Sequence, residues 1–172
     1  LQPLKEIASD LQSIADMVEL TVEMGRFYTA ECGYYLTEVL ETKAGHDVPY
    51  AILDGGMNHL NYLGQMMGMK VPLITHLKRN ETGTSGAKSQ EWCLCGSLCT
   101  TADVIVRKTA FEDLEVGDIL VFKNIGAYSV TEGIHLFLSR TMPRILLWYG
   151  DNHIEMVRDF VESSDLNRKR LV

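Results

Sequence analysis

At 172 residues the chain has room for one sizeable core, and its 46% hydrophobic content is that of a globular protein. A formal net charge of −7 argues against a nucleic-acid surface, the terminal Arg168-Lys169-Arg170 run reading as a solvated tail. No apolar stretch approaches the ~20 residues that span a bilayer, so no membrane partner is expected.

Pro3 to Ala15 places Leu4, Ile7, Ala8, Leu11, Ile14 and Ala15 at helical spacing, with proline allowed in the first turn, and predicts an amphipathic helix. Val18 to Val22 alternates as a strand does and runs into Glu23-Met24-Gly25-Arg26. Helix followed by short strand is the rhythm of an α/β barrel, present here once, and a chain opening at Leu1 with no signal-peptide pattern reads as cut. A helical turn from Gly25 to Ala30 then leads to a long strand over Tyr34 to Lys43, rich in β-formers. Gly45-His46-Asp47 turns the chain, Val48 to Leu53 forms a second strand, and Asp54-Gly55-Gly56 ends it with residues that tolerate positive φ. The Met- and Gly-rich stretch 57–69 is predicted irregular, Val71 to Leu77 a strand, and Asn80 to Ser89 a flexible loop.

Glu91 opens a central strand that runs to Leu98. Gly96 and Ser97 interrupt its apolar run, so the backbone leaves the strand, offers Cys99 to Asp103 at a loop, and re-enters extended structure at Val104. Phe111 to Asp118 is predicted to turn, Ile119 to Phe122 to form a strand, Asn124 to Tyr128 to bend at a glycine, and Ile145 to Tyr149 to be the last strand. Many short strands, 14 glycines and regular turn signals predict a mainly β fold, an antiparallel barrel after a helical start.

Chemistry concentrates between Trp92 and Asp103. The spacing of Cys93, Cys95 and Cys99 lacks the second C-x2-C pair of a zinc site, so no metal is expected. Four unevenly spaced cysteines do not form a secreted disulfide frame, and a reducing cytoplasm fits them best. Cys93 and Cys95 sit between large apolar residues and read as buried small hydrophobes, whereas Cys99 at a loop tip can be offered to a partner or substrate. Asp103 is read as a brace for that loop, and His59 and His153 are given no role.

Taken in order, Glu23-x-Gly25-Arg26, Asp54-Gly55-Gly56-Met57-Asn58, Cys99 with Asp103, Val116-Gly117-Asp118 and Gly126-Ala127-Tyr128 resemble the C-terminal half of the pyridoxal-phosphate decarboxylases related to diaminopimelate and ornithine decarboxylase. The resemblance implies that residues 1–32 end a TIM-type α/β barrel that binds the cofactor and that 33–172 form the C-terminal β-barrel domain. It implies a homodimer with the active site between subunits, and an amino-acid substrate. The family's Schiff-base lysine and glycine-rich phosphate loop belong to the barrel portion ahead of Leu1, so the chain alone is expected to be inert.

By the same resemblance Glu23 pairs with the pyridine nitrogen of pyridoxal phosphate, Arg26 binds its phosphate and Tyr128 hydrogen-bonds that phosphate. Cys99 resembles the cysteine delivered across the interface as a proton donor. The sequence departs from relatives acting on free diamino acids at Thr100, where they carry an acid, and lacks their Arg-Pro-x-x-Tyr element, whose positions fall near Tyr62 and Met66. Gly-Gly-Met-Asn-His and Leu-Cys-Thr resemble instead the branch of the family found in biosynthetic clusters, whose members include a decarboxylase of glutamate carried as a thioester on an acyl-carrier protein. A non-catalytic binding or regulatory relative is the alternative, and it predicts a parent chain without the lysine.

Overall fold

The computed structural model describes residues 5–62, 68–80 and 88–168. The parts of the expectations above that fall on 1–4, 63–67, 81–87 and 169–172, among them Leu4, Met66 and the end of the basic tail, lie outside the described residues.

Helix α1 spans Ala8–Ala15, where the apolar spacing puts it, yet none of its residues is buried. Residues 19–24 follow without regular structure, so the strand expected over Val18 to Val22 does not form. Alternation is a local signal, whereas a strand needs a neighbour to receive its hydrogen bonds, and none pairs with this segment among the described residues. Helix α2, Gly25–Thr29, continues as a 3-10 turn over Ala30–Cys32.

The strands are β1 (Tyr34–Lys43), β2 (Tyr50–Leu53), β3 (Ile74–Leu77), β4 (Ser89–Cys95), β5 (Val104–Glu112), β6 (Ile119–Lys123), β7 (Ile145–Gly150) and β8 (His153–Arg158). The first six make one sheet in the order β3-β6-β1-β2-β4-β5, curled into a half-barrel. Of the expected antiparallel barrel the structure shows this half: β3 and β5 are the sheet's edges and do not pair with each other among the described residues. Pairing is antiparallel throughout except between β2 and β4. The chain leaves β2, crosses to lay β3 beside β6, and returns alongside β2 in the same direction, which is the long connection that a parallel pair requires.

Pleating sorts the side chains. In β6, Leu120 and Phe122 are fully buried while Ile119 and Val121 are half-buried. Val39, Leu53, Leu94, Val106, Leu120 and Phe122, each at most 1% exposed, form the centre of the core, and each contributes roughly 1.5–3 kcal/mol by leaving water.

Several boundaries move for local reasons. Strands β2 and β3 start later than the pattern suggests, one residue after Pro49 and two after Pro72, prolines that cannot donate to a ladder. Strand β4 stops at Cys95, short of Leu98, because the Leu98 N–H is turned onto the Asp103 carboxylate. Strand β5 runs on to Glu112, so the predicted turn is confined to the residues after it. Strand β7 is not the last: Gly150, Asp151 and Asn152, all at positive φ, turn the chain into β8, and the two strands form a separate hairpin. No helix among the described residues is long and apolar enough to cross a membrane.

Candidate functional site

The loop after β2 is the hub of the candidate site. Asp54 fastens its start, accepting hydrogen bonds from the Thr37 hydroxyl and, at 3.0 Å, from the Glu38 N–H. Further along, Gly56 lies on one side of Asp103 and Gly96 on the other, and a Cβ on either would come within 2.6 Å or 2.2 Å of the Asp103 carboxylate oxygens. Only glycine admits that approach. Asp103 is 2% exposed, and its oxygens accept the N–H groups of Met57 and Leu98, each at 2.9 Å. One carboxylate therefore ties the Gly-Gly-Met loop to the loop that carries Cys99. Burial pushes the Asp103 carboxyl up, against the pull of those two bonds and of the nearby His59 and Arg140.

Replacing Asp103 by Ala is expected to cost about 2–4 kcal/mol, since two buried N–H groups lose their acceptors. A group whose folded-state pKa is raised stabilises most below its unfolded pKa and less as pH rises through the folded one. The penalty should accordingly be largest in acid and shrink toward neutral pH. Urea melts of wild type and variant across that range check it, and a penalty below about 0.5 kcal/mol throughout would remove Asp103 as the brace.

The cysteines separate as their settings dictate. Cys93 is buried and Cys95 half-buried, their sulfurs 3.7 Å apart, and burial followed by the Cys93 neighbour pushes the Cys95 thiol up to about 12. Such a thiol is inert at neutral pH. Cys99 is exposed on the loop between β4 and β5.

On its other side the hub holds the segment that follows β6. Ser129 O accepts the Asn61 N–H at 2.8 Å and Met57 O accepts the Ile134 N–H at 2.9 Å. His135 adds its two ring nitrogens, 2.7 Å from Asn58 O and 2.5 Å from Val130 O. His59 Nε2 faces Thr141 O at 3.2 Å, which can only accept, so Nε2 carries the proton and Nδ1 accepts from the Tyr35 hydroxyl at 2.9 Å. Burial lowers the His59 pKa, in keeping with that neutral ring.

This strapped segment presents Tyr128, itself at φ 64°. The Tyr128 hydroxyl lies against Gly25, where a Cβ would come within 2.1 Å of it. The Arg26 guanidinium carbon is 5.2 Å from the Tyr128 ring centroid, and Arg26 Nη1 donates to Ala127 O at 3.3 Å. Two residues singled out from distant motifs are thus in contact. Tyr128 is 53% exposed and Arg26 half-buried, and a guanidinium beside a phenol is a donor set suited to a phosphate. Glu23 is exposed in the irregular segment just ahead of α2, and no hydrogen bond or ion pair described joins it to Tyr128 or Cys99.

Val116-Gly117-Asp118 does different work. Asp118, 3% exposed, accepts from Arg79 N and Glu115 N, each at 2.9 Å, and from His76 Nε2 at 2.7 Å. Burial pushes its carboxyl up, but these three bonds outweigh burial and hold it below the usual carboxylate range. The motif braces the start of β6. Arg140, which belongs to none of the motifs, donates from Nη2 to Ser97 O at 2.8 Å.

The curled sheet thus carries the cysteine loop on one side of its hub and the arginine-tyrosine pair on the other. Residues 13–126 match the family model described as the C-terminal sheet domain of pyridoxal-dependent decarboxylases, and the chain belongs to that family. The chain is 36% identical over 131 residues to the Staphylococcus aureus 2-[(L-alanin-3-ylcarbamoyl)methyl]-2-hydroxybutanedioate decarboxylase, a match covering 75% of this chain and 33% of that enzyme. It is 30% identical over 140 residues to the L-glutamyl-[BtrI acyl-carrier protein] decarboxylase of Niallia circulans, covering 80% of this chain and 32% of that one. Among solved structures, diaminopimelate decarboxylase from M. jannaschii in co-complex with L-lysine superposes with a TM-score of 0.73 at 25% identity, over 96% of this chain and 37% of that chain. The chain spans about a third of the length of these relatives. Pyridoxal phosphate is the cofactor of the family's full-length enzymes.

Proposed function

We propose that this chain is the C-terminal part of a pyridoxal-phosphate-dependent amino-acid decarboxylase, with residues 1–32 ending its cofactor-binding barrel and 33–172 forming its sheet domain. The contact between Arg26 and Tyr128 carries the reading, because it brings the Glu23-x-Gly25-Arg26 and Gly126-Ala127-Tyr128 motifs together into one pair suited to an anion. In this reading Arg26 and Tyr128 hold the cofactor phosphate, the guanidinium as a charged fork and the phenol as a single donor. The cofactor supplies a sink for the electron pair left when carbon dioxide departs. Glu23 would accept a hydrogen bond from the protonated pyridine nitrogen and keep that proton in place. Cys99, from the partner subunit of a homodimer, gives a proton to the carbon that lost the carboxylate. Asp103 fixes the loop from which Cys99 reaches.

The substrate is an amino acid without a distal ammonium, either free with an uncharged or anionic tail or tethered to a carrier. Thr100 supports this: its hydroxyl accepts the Ala102 N–H at 3.2 Å and offers no charge to an ammonium. Of three relatives at 30% identity or more, the Staphylococcus and Niallia enzymes are not named for a free diamino acid and support it, whereas the Deinococcus radiodurans relative, at 31% identity, is named a diaminopimelate decarboxylase and makes the substrate comparison the necessary test. Turnover of the full-length enzyme should be compared on lysine, ornithine and diaminopimelate, on glutamyl-carrier thioester, and on the hydroxybutanedioate substrate of the Staphylococcus relative. A preference of at least roughly 10-fold in kcat/KM for one of the last two is expected. Efficient decarboxylation of any free diamino acid would overturn the assignment.

A further inference from the structure

We propose that Arg140 is a specificity residue whose guanidinium reads an oxyanion at the far end of the substrate, a proposal that rests on the decarboxylase reading and sharpens its substrate class. The residue is built into the loop that carries Cys99. Its Nη2 donates to the carbonyl of Ser97, two residues before Cys99, at 2.8 Å. The backbone around it is set from both sides. Ahead of it the turn Phe137–Ser139 holds Leu138 and Ser139 at φ 59° and 50°, a left-handed conformation that side chains other than glycine rarely take in succession. Behind it, Thr141 O accepts the His59 Nε2 proton at 3.2 Å.

The charge so placed has no carboxylate of its own. Arg79, Arg144 and Arg168 pair with Glu38, Asp159 and Asp165, whereas no ion pair holds Arg140 among the described residues. Asp103 is close enough to feel its charge, but both Asp103 oxygens are already bonded to the Met57 and Leu98 N–H groups. Arg140 remains exposed, with the rest of its five donors directed to no described partner. A planar guanidinium matches a carboxylate or phosphate oxygen pair, and beside a loop with Thr100 in place of an acid it would repel an ammonium tail. The oxyanion could be the substrate's own carboxylate or the phosphate of a carrier's arm, two sources with one chemistry.

The test compares full-length wild type with Arg140→Gln and Arg140→Lys on a substrate ending in a carboxylate, on its terminal amide, and on the carrier-tethered form. Arg140→Gln is expected to raise KM for the carboxylate form roughly 10- to 100-fold with kcat within about threefold, to leave the amide unchanged, and to be partly rescued by Lys. The same rise confined to the carrier-tethered form would assign the oxyanion to the carrier. Equal loss of kcat on every substrate would reduce Arg140 to a brace for Ser97 and overturn the proposal. A second readout needs no turnover: alkylation of Cys99 by iodoacetamide, followed by peptide mass spectrometry, in the presence of glutarate or glutaramide. Slowing by glutarate alone, lost in Arg140→Gln, would uphold the site even if decarboxylation proved absent. Identical alkylation with either additive in wild type would overturn it while leaving the decarboxylase reading intact.

Discussion

Glu23→Gln in the full-length enzyme is expected to keep pyridoxal phosphate bound while slowing decarboxylation roughly 100-fold or more, the scale on which a single preorganised electrostatic partner acts. Retention follows from the proposed role of Arg26 and Tyr128 in holding the phosphate, since their contact does not involve Glu23. The slowing follows from the proposed pairing: glutamine keeps the shape of glutamate and removes its charge, so a proton on the pyridine nitrogen would lose the carboxylate that stabilises it. Cofactor content by absorbance after gel filtration, together with kcat, separates the two effects. Unchanged turnover would remove Glu23 from the site, and loss of cofactor would recast it as an anchor.

What could be read from the sequence was what local pattern dictates. Tyr34 to Lys43 is a strand in both sequence and structure because its β-formers and flanking turn signals agree, and Gly25 to Ala30 is helical for similar reasons. The Gly96 break and the Cys99 loop were also legible, since glycine and serine interrupt an apolar run there. Pairing was not. The parallel contact of β2 with β4 depends on where β3 inserts, which no local pattern reports. Strand β8 stayed hidden because its face is exposed and its residues carry no burial period. In the candidate site, motif order singled out Arg26 and Tyr128 without showing that they touch, and Arg140 had no signal at all, lying 43 residues from the carbonyl it holds.

The second large effect concerns Cys99, whose exposed thiol on the β4–β5 loop has no described contact with Glu23 in its own chain. In the proposed reading the two residues serve one site from different subunits. Cys99→Ala should then lower product formation in every homodimer, since the proton donor is missing from both sites. Glu23→Gln homodimers are impaired for their own reason. A heterodimer of the two variants, however, has one site in which both defects meet and one in which both residues are wild type. With random exchange in a twofold dimer, equimolar mixing should restore about a quarter of wild-type activity, because half the dimers are mixed and half of their sites are complete. The decisive measurement is therefore product formation after mixing full-length Cys99→Ala with full-length Glu23→Gln, subunit exchange being verified by native mass. Recovery toward that quarter is the expected result, and no recovery at any mixing ratio would contradict a site shared between subunits.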